Sequence, residues 1–403
     1  MIKKSLQVPL FFIAFLSLTS TTSALSSTIF VDATYTEKNA DNHTYGVDAF
    51  STIQAGIDAA ADDGIVYVKK GIYNEALTIT KSLSLSGIAD HTATGASDNA
   101  PTIDGKEATA TILIQGSSTP LRVSVFNFHI LDGNHGVLVV QKANVLISSN
   151  TIEGYKKNGI TFGSKIIRGD GDVSGTINSN IVKGKGPINT ISQNGIQVAE
   201  HNTATIINNT VLNNVYTSPG IKWATGILIH NTKGVTASGN TLINNQAGIN
   251  ILQASNNILE GNTFIGNDLT NAGIIVTDFD DATRPAENNK INKNSITGGY
   301  AGIWASYAPK NSYINNTITN SSQYGILFWD TDSNVVAKNT INHIRTSTHG
   351  GYAVALNGGD TKKGTVGSSF NYISENNVTD SDSWYYASNE SNKNVIFKNK
   401  FSF

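Results

Sequence analysis

The sequence predicts an all-β chain wound as a parallel β-helix, a β-solenoid with a capping helix over its N-terminal end. Three observations predict it. The first is a glycine followed by alternating aliphatic residues, at Gly136-Val-Leu-Val-Val, Gly159-Ile-Thr-Phe, Gly195-Ile-Gln-Val, Gly226-Ile-Leu-Ile, Gly248-Ile-Asn-Ile, Gly273-Ile-Ile-Val, Gly302-Ile-Trp-Ala and Gly325-Ile-Leu-Phe. The interval is 23 residues from Gly136 to Gly159, 22 from Gly226 to Gly248, 25 from Gly248 to Gly273 and 23 from Gly302 to Gly325. The longer intervals are loops inserted into single coils. The second is an interleaved phrase built on asparagine: Asn150-Thr-Ile, Asn180-Ile, Asn209-Thr-Val, Asn240-Thr-Leu, Asn262-Thr-Phe, Asn316-Thr-Ile and Asn339-Thr-Ile. The third is the absence of helical periodicity between the phrases. Alternation at period 2 in segments this short reads as strand, and a repeat of 22 to 25 residues reads as a solenoid coil.

Each coil therefore holds at least two strands and two turns. Asparagine tolerates the left-handed backbone of a sharp turn. In parallel coils its amide stacks on the copy above and below and hydrogen-bonds along the stack. Several of these residues also match the N-x-Ser/Thr glycosylation pattern, but the repeat accounts for all of them together. Both ends of such a stack need covering. At the front, Ser51-Thr-Ile-Gln54 has capping-box spacing and Ile53, Ile57 and Ala60 recur at near-helical intervals, which predicts an amphipathic helix over 50–61. Strands follow at 65–68, 77–79 and 83–85. At the back, residues 394–403 read as a last coil.

Composition bounds the function. The 403 residues carry 28 Lys+Arg against 30 Asp+Glu, a net charge of -2, and only 14% are charged. No basic excess exists to neutralise phosphates, so a nucleic-acid partner is excluded. A hydrophobic fraction of 39% suits a large core, and a mean hydropathy of -0.15 does not suit a polytopic membrane protein. With no cysteine, disulfides, thiol nucleophiles and thiolate metal sites are excluded. Residues 1–24 combine Lys3 and Lys4, an apolar run from Leu6 to Leu18 and small residues at Thr22, Ser23 and Ala24, the pattern of a secretory signal peptide. Residues 25–403 then form one exported domain, with a capping segment over about 25–64, coils over about 65–403 and no membrane span.

The opening Ser51-Thr-Ile-Gln-Ala-Gly-Ile-Asp-Ala-Ala60, with Val66-Tyr-Val-Lys-Lys-Gly-Ile-Tyr-Asn-Glu75 and Leu83-Ser-Leu-Ser-Gly87, resembles the entry of pectinesterases and of NosD-like repeat proteins. The resemblance is to the right-handed parallel β-helix superfamily of pectin-lyase-like proteins, and it covers nearly the whole chain after residue 24. It implies the fold rather than an activity. The polygalacturonase, pectinesterase and alginate-epimerase catalytic phrases are missing; Asp280-Asp281 lacks its companions, and Thr283-Arg284-Pro285 is not the pectate-lyase arginine motif. NosD-like proteins are linked to copper-site maturation, for which one methionine and scattered histidines make a poor soft-metal set.

If the residue after each glycine points inward, the next points outward. One outward column then contains Asn250, Ile275, Trp304 and Leu327, and a second contains His230, Leu252, Thr277, Ser306 and Trp329. Asp278, Tyr307 and Asp330 follow at the strand exits. Aromatic faces beside carboxylates suit a polysaccharide groove, which makes Trp304, Trp329, Tyr307, His230 and Asn250 candidate glycan-binding residues. Asp278 and Asp330, two coils apart and therefore roughly 10 Å from each other, are the candidate catalytic pair, near the upper end of the inverting range. Asp280, Asp281 and Asp332 are nearer alternatives. Acidic exits equally suit Ca²⁺, and Arg284 would clamp a substrate carboxylate. The expectation is an exported polysaccharide lyase or glycoside hydrolase; the alternative is a non-catalytic surface or periplasmic protein that binds a glycan or a protein. On that alternative the same aromatics dock the glycan or protein; a purely structural reading of the residues has the two tryptophans packing beneath an inserted loop and the aspartates as turn residues. His343, Arg345 and His349 would line the far end of the groove, or lie in solvent, and Trp384-Tyr-Tyr386 would shield the last coils.

Overall fold

The computed structural model describes residues 26–88, 100–163, 172–220, 223–278, 285–346, 350–358 and 367–402. The segment 1–24 that reads as a signal peptide, Asp280, Asp281, Arg284 and His349 lie outside the described residues. Among those described, parallel strands stack into three sheets of 15, 13 and 12 strands. A coil contributes one strand to each, as with Thr236–Ser238, Thr241–Ile243 and Ala247–Leu252 in the first, second and third sheets. Sequence periodicity had shown at least two strands per coil. The remaining strand, three residues long here, follows neither the glycine nor the asparagine phrase that marks the other two.

The third sheet contains the glycine phrases, and their inward isoleucines, from Ile160 through Ile326, are fully buried in one continuous core. The glycines themselves are there for close approach. A Cβ at Gly248 would meet the Gly273 carbonyl oxygen at 2.3 Å and the Phe264 ring at 2.4 Å, and one at Gly302 would meet Ile318 at 2.4 Å. The third sheet can lie this close to the second only where no side chain intervenes.

The predicted asparagine stack is present. From Asn150 through Asn180, Asn209, Asn240, Asn262, Asn294, Asn316, Asn339 and Asn376 to Asn399, each Oδ1 accepts from the backbone N–H and the Nδ2 of the preceding asparagine. For Asn262 and Asn294 these distances are 3.0 and 2.9 Å. A second ladder runs from Asn257 to Asn394 at another corner. One expectation is corrected: the left-handed residue is the one before each ladder asparagine. Ser149, Asn208, Lys338 and Glu375 all have φ of 56 to 58°. The asparagines are buried and serve as hydrogen-bonding groups.

The front differs from its prediction. The helix spans Ile53–Ala59, and its cap is Thr52, whose hydroxyl accepts from Ala55 N–H at 3.4 Å, in place of Ser51. The Glu75 carboxylate accepts from the N–H groups of Ile53 and Gln54 at 2.8 and 3.0 Å. Ile53 and Ile57 join the core beside Ile29, Val31 and Val66. Two strands that the capping segment had hidden, Ser26–Val31 and Ala49–Phe50, extend the first sheet beyond Ala60–Val68. The back ends as expected in a last coil, with strands Val395–Phe397 and Lys400–Ser402.

Candidate functional site

The outward columns fall in the predicted register. Leu228, Asn250, Ile275, Trp304 and Leu327 pair rung by rung, as do His230, Leu252, Thr277, Ser306 and Trp329. A third column, formed by the residues before the glycines, is Thr225, Ala247, Ala272, Ala301, Tyr324 and Tyr352. Outward does not mean open, however. Asn250 is 5% exposed, and Ile275 and Leu327 are buried, whereas Trp329 is 40% exposed.

Trp304 is half-buried and packs against Trp223, with ring centroids 5.3 Å apart and planes at 44°. Beneath the two rings lie Ala247, Ala272, Ala301 and Ile275, and Tyr324 closes the side. Trp223 was not singled out in the sequence because it lies in a connection, outside the strand pattern. The end of that connection is anchored: Ala224 N–H donates to Gln246 Oε1 at 2.9 Å, and Ser192 Oγ donates to the Trp223 carbonyl at 2.8 Å. Tyr300, Tyr324 and Tyr352 were missed too, whereas Tyr386 belongs to the aromatic cluster read in the sequence. Tyr300, Tyr324, Tyr352 and Tyr386 run along the same face with successive centroids 5.5, 6.2 and 5.2 Å apart, and burial with Tyr300 alongside pushes the Tyr324 phenol up to about 12. The signal was available in the column before each glycine, which holds Tyr324 and alanines.

At the strand exits, Asp278 and Asp330 are 6% and 9% exposed. They flank Tyr307, since Thr277, Ser306 and Trp329 are consecutive partners, so they stand two rungs and about 10 Å apart. Tyr307 and Asp330 have left-handed backbones, φ 52° and 48°. Their N–H groups donate to the Trp329 and Asn357 carbonyls, each at 3.1 Å. Gln253 Nε2 donates to the Asp278 carbonyl at 3.1 Å. A Cβ at Gly358 would come within 2.2 Å of Asp330 Oδ1, so only glycine leaves room for that carboxylate. Asp332 Oδ1 accepts from Ser369 N–H at 2.6 Å. Burial, reinforced by the Asp330 charge, raises the Asp332 carboxyl above the ordinary carboxylate range.

Not every candidate joins this group. His230 lies four rungs, about 19 Å, from Trp329 along its column, and its Nδ1 is 3.7 Å from Glu200 Oε1. His343 and Arg345 both pair with Asp380, the histidine at 2.6 Å, at the corner between the second and third sheets. Trp384 and Tyr385 pack against the last part of the core.

The fold is shared with several solved structures. The periplasmic alginate epimerase AlgG has a TM-score of 0.56 at 13% identity, covering 88% of this chain and 84% of that one. The catalytic domain of a GH87 alpha-1,3-glucanase in complex with nigerose has a TM-score of 0.56 at 12% identity, covering 86% and 66%. The Dettilon tailspike protein has a TM-score of 0.52 at 16% identity, covering 90% and 68%. At such identities the likeness is one of fold. No curated protein matches the sequence. A family match spans the coils in overlapping segments, 72–267, 168–352 and 284–402. With its three stacked parallel sheets and this match along most of its length, the chain belongs to the NosD family, described as periplasmic copper-binding protein, within the right-handed parallel β-helix superfamily.

Proposed function

We propose that this chain is exported and binds a polysaccharide along the outer face of the third sheet, over the coils from Ala247 to Asn357. The observation that carries the proposal is Trp329, a large aromatic left 40% exposed beside the exit row of Asp278, Tyr307 and Asp330. An open indole face offers a packing surface for sugar C–H groups, and neighbouring carboxylates accept from hydroxyls. Trp304 and Asn250 continue the face, whereas His230 stands at its far end. The carbohydrate-acting proteins of the same fold support this choice of ligand. Export rests on the sequence of residues 1–24 and on the family's periplasmic description.

A catalytic version of this function is favoured by one feature, the carboxylate group at the exits. Asp332 holds its proton more tightly than an ordinary carboxyl and sits near Asp330, an arrangement suited to a general acid beside a carboxylate base. Asp278 would be the distant partner of an inverting pair. Asp280 and Asp281 would extend the acidic exit toward Ca²⁺, and Arg284 would meet a uronate if one were bound.

Copper does not fit the donors present. The chain has no cysteine, its one methionine is Met1, and among the described residues no three His, Asp or Glu side chains converge.

The test is to incubate the chain from Leu25 with a panel of polyuronates and neutral glycans, with and without Ca²⁺, measuring retention, unsaturated product and new reducing ends. Retention by the wild type, weakened about tenfold by Trp329→Ala at unchanged urea stability, is the expected result. Unsaturated product identifies a lyase, new reducing ends a hydrolase, and retention without either a binding protein. Absence of retention and product across the panel rejects the proposal.

A further inference from the structure

Among the described residues, two buried polar atoms in one outward column of the third sheet have no hydrogen-bond partner. Asn250 is 5% exposed, and its Oδ1 is buried without a hydrogen bond. Two rungs further along the same column, the indole Nε1 of Trp304 is buried and equally unbonded. Buried polar groups are nearly always satisfied, because leaving one unmade forfeits its bonds to water with nothing in return. An orphaned acceptor and an orphaned donor in one column therefore need an explanation.

Their surroundings supply one. The floor is a column of alanines, Ala247, Ala272 and Ala301, with Ile275 beside it, and Trp223, Trp304 and Tyr324 pack over it. Trp223 and Trp304 stand over it in a tilted contact rather than a stacked one. The backbone at Trp223 is held in place by the bonds of Gln246 and Ser192 to its connection. A ring carrying several hydroxyls that enters by displacing the Trp223 ring matches this set: one hydroxyl donates to Asn250 Oδ1, another accepts from Trp304 Nε1, and the C–H face packs on the indoles. Both orphaned groups are neutral, and among the described residues the strand exits along this face carry the carboxylates of Asp278 and Asp330, which would repel an anionic sugar.

We infer that Asn250, Trp304 and Trp223 form a subsite for one neutral glycosyl unit, so that the polysaccharide is a neutral glycan rather than a polyuronate. This deepens the glycan-binding function proposed above and rests on it.

The experiment is isothermal titration of the chain from Leu25 with maltohexaose, laminarihexaose, cellohexaose and hexagalacturonate, repeated for Asn250→Leu and Trp304→Phe. Tryptophan fluorescence is followed alongside, because ring entry disturbs the Trp223–Trp304 contact. Wild type is expected to bind at least one neutral hexaose more tightly than hexagalacturonate, with a fluorescence change. Each variant should weaken that binding about three- to tenfold, the range of one lost hydrogen bond. Asn250→Leu should at the same time hold or raise the urea midpoint, since it removes an unsatisfied buried group. Trp304→Phe keeps a ring and removes the donor, so it remains informative if Asn250→Leu fails to fold. Wild-type binding that both variants leave unchanged overturns the subsite but not the glycan-binding function. Preference for hexagalacturonate overturns the neutral-sugar assignment, and failure to bind any of the four overturns both.

Discussion

The early and late coils of the third sheet present the same columns to the outside, yet they treat polar side chains in opposite ways. In the early coils His135, Asn158 and Asn194 form one column and Thr161 and Gln197 the next. They satisfy one another: His135 Nδ1 lies 2.9 Å from Thr161 Oγ1, Asn158 Nδ2 donates to Thr161 Oγ1 and Gln197 Oε1 at 3.1 and 3.2 Å, and Asn194 Nδ2 donates to Asn158 Oδ1 and Gln197 Oε1, both at 3.2 Å. In the late coils the same columns hold alanines, the unbonded Asn250 and Trp304, and near them an open Trp329. A closed polar network fixes a scaffold; unmet donors and acceptors beside open aromatics mark a surface that expects a ligand. One sheet thus divides into a structural half and a candidate binding half without any change of backbone.

The largest expected effect breaks the early half. Asn158 is fully buried, and Asn158→Leu removes one hydrogen bond each from Thr161, Asn194 and Gln197, which should cost about 1.5–4.5 kcal/mol at ~0.5–1.5 kcal/mol per lost bond. Urea unfolding checks it. A loss below 1 kcal/mol would mean that the network is decorative and the contrast between the halves is false.

A second prediction uses pH. Burial, with Lys157 nearby, lowers the His135 imidazole to about 4. A histidine depressed in the folded state contributes stability that is present above its ordinary pKa near 6.5 and lost as pH falls through its folded value. The chain should therefore lose about 3 kcal/mol between pH 7 and pH 4 through this residue. Urea midpoints across that range, compared with those of His135→Gln, should show a flatter dependence in the variant; parallel curves would remove His135 from the account.

The smallest effect lies in the late half. The Asp332 carboxyl is raised, so its stabilising contribution belongs to the protonated form, is complete below the ordinary carboxylate pKa and is lost as pH rises through the raised value. Asp332→Asn keeps an acceptor for Ser369 N–H and should be slightly more stable than wild type at pH 7, with the gain vanishing on acidification. If the catalytic version of the function holds, the same variant loses turnover despite its added stability. Unchanged turnover would move the acid elsewhere.

Much of this was legible in the sequence. The spacing of Gly226, Gly248 and Gly273 showed the coil, the asparagines showed the ladder, and alternation placed Trp304 and Trp329 in the correct outward columns. What could not be read was cover. Trp304 and Trp329 occupy equivalent faces of neighbouring columns, but Trp223 reaches over one and not the other. The carboxylate of Glu75, which accepts from the first helical N–H groups beside the Thr52 cap, could not be read for the same reason, because it arrives from 22 residues away.

By itself, then, the sequence determined the winding. Inward side chains, close-packed glycines and hydrogen-bonded asparagines each meet their own copy on the next rung, so a local pattern is enough to specify them. Only the tertiary structure decided which outward positions are closed, satisfied or open. That depends on which connection of which coil folds back over the sheet, and connections have no repeat for a sequence to show.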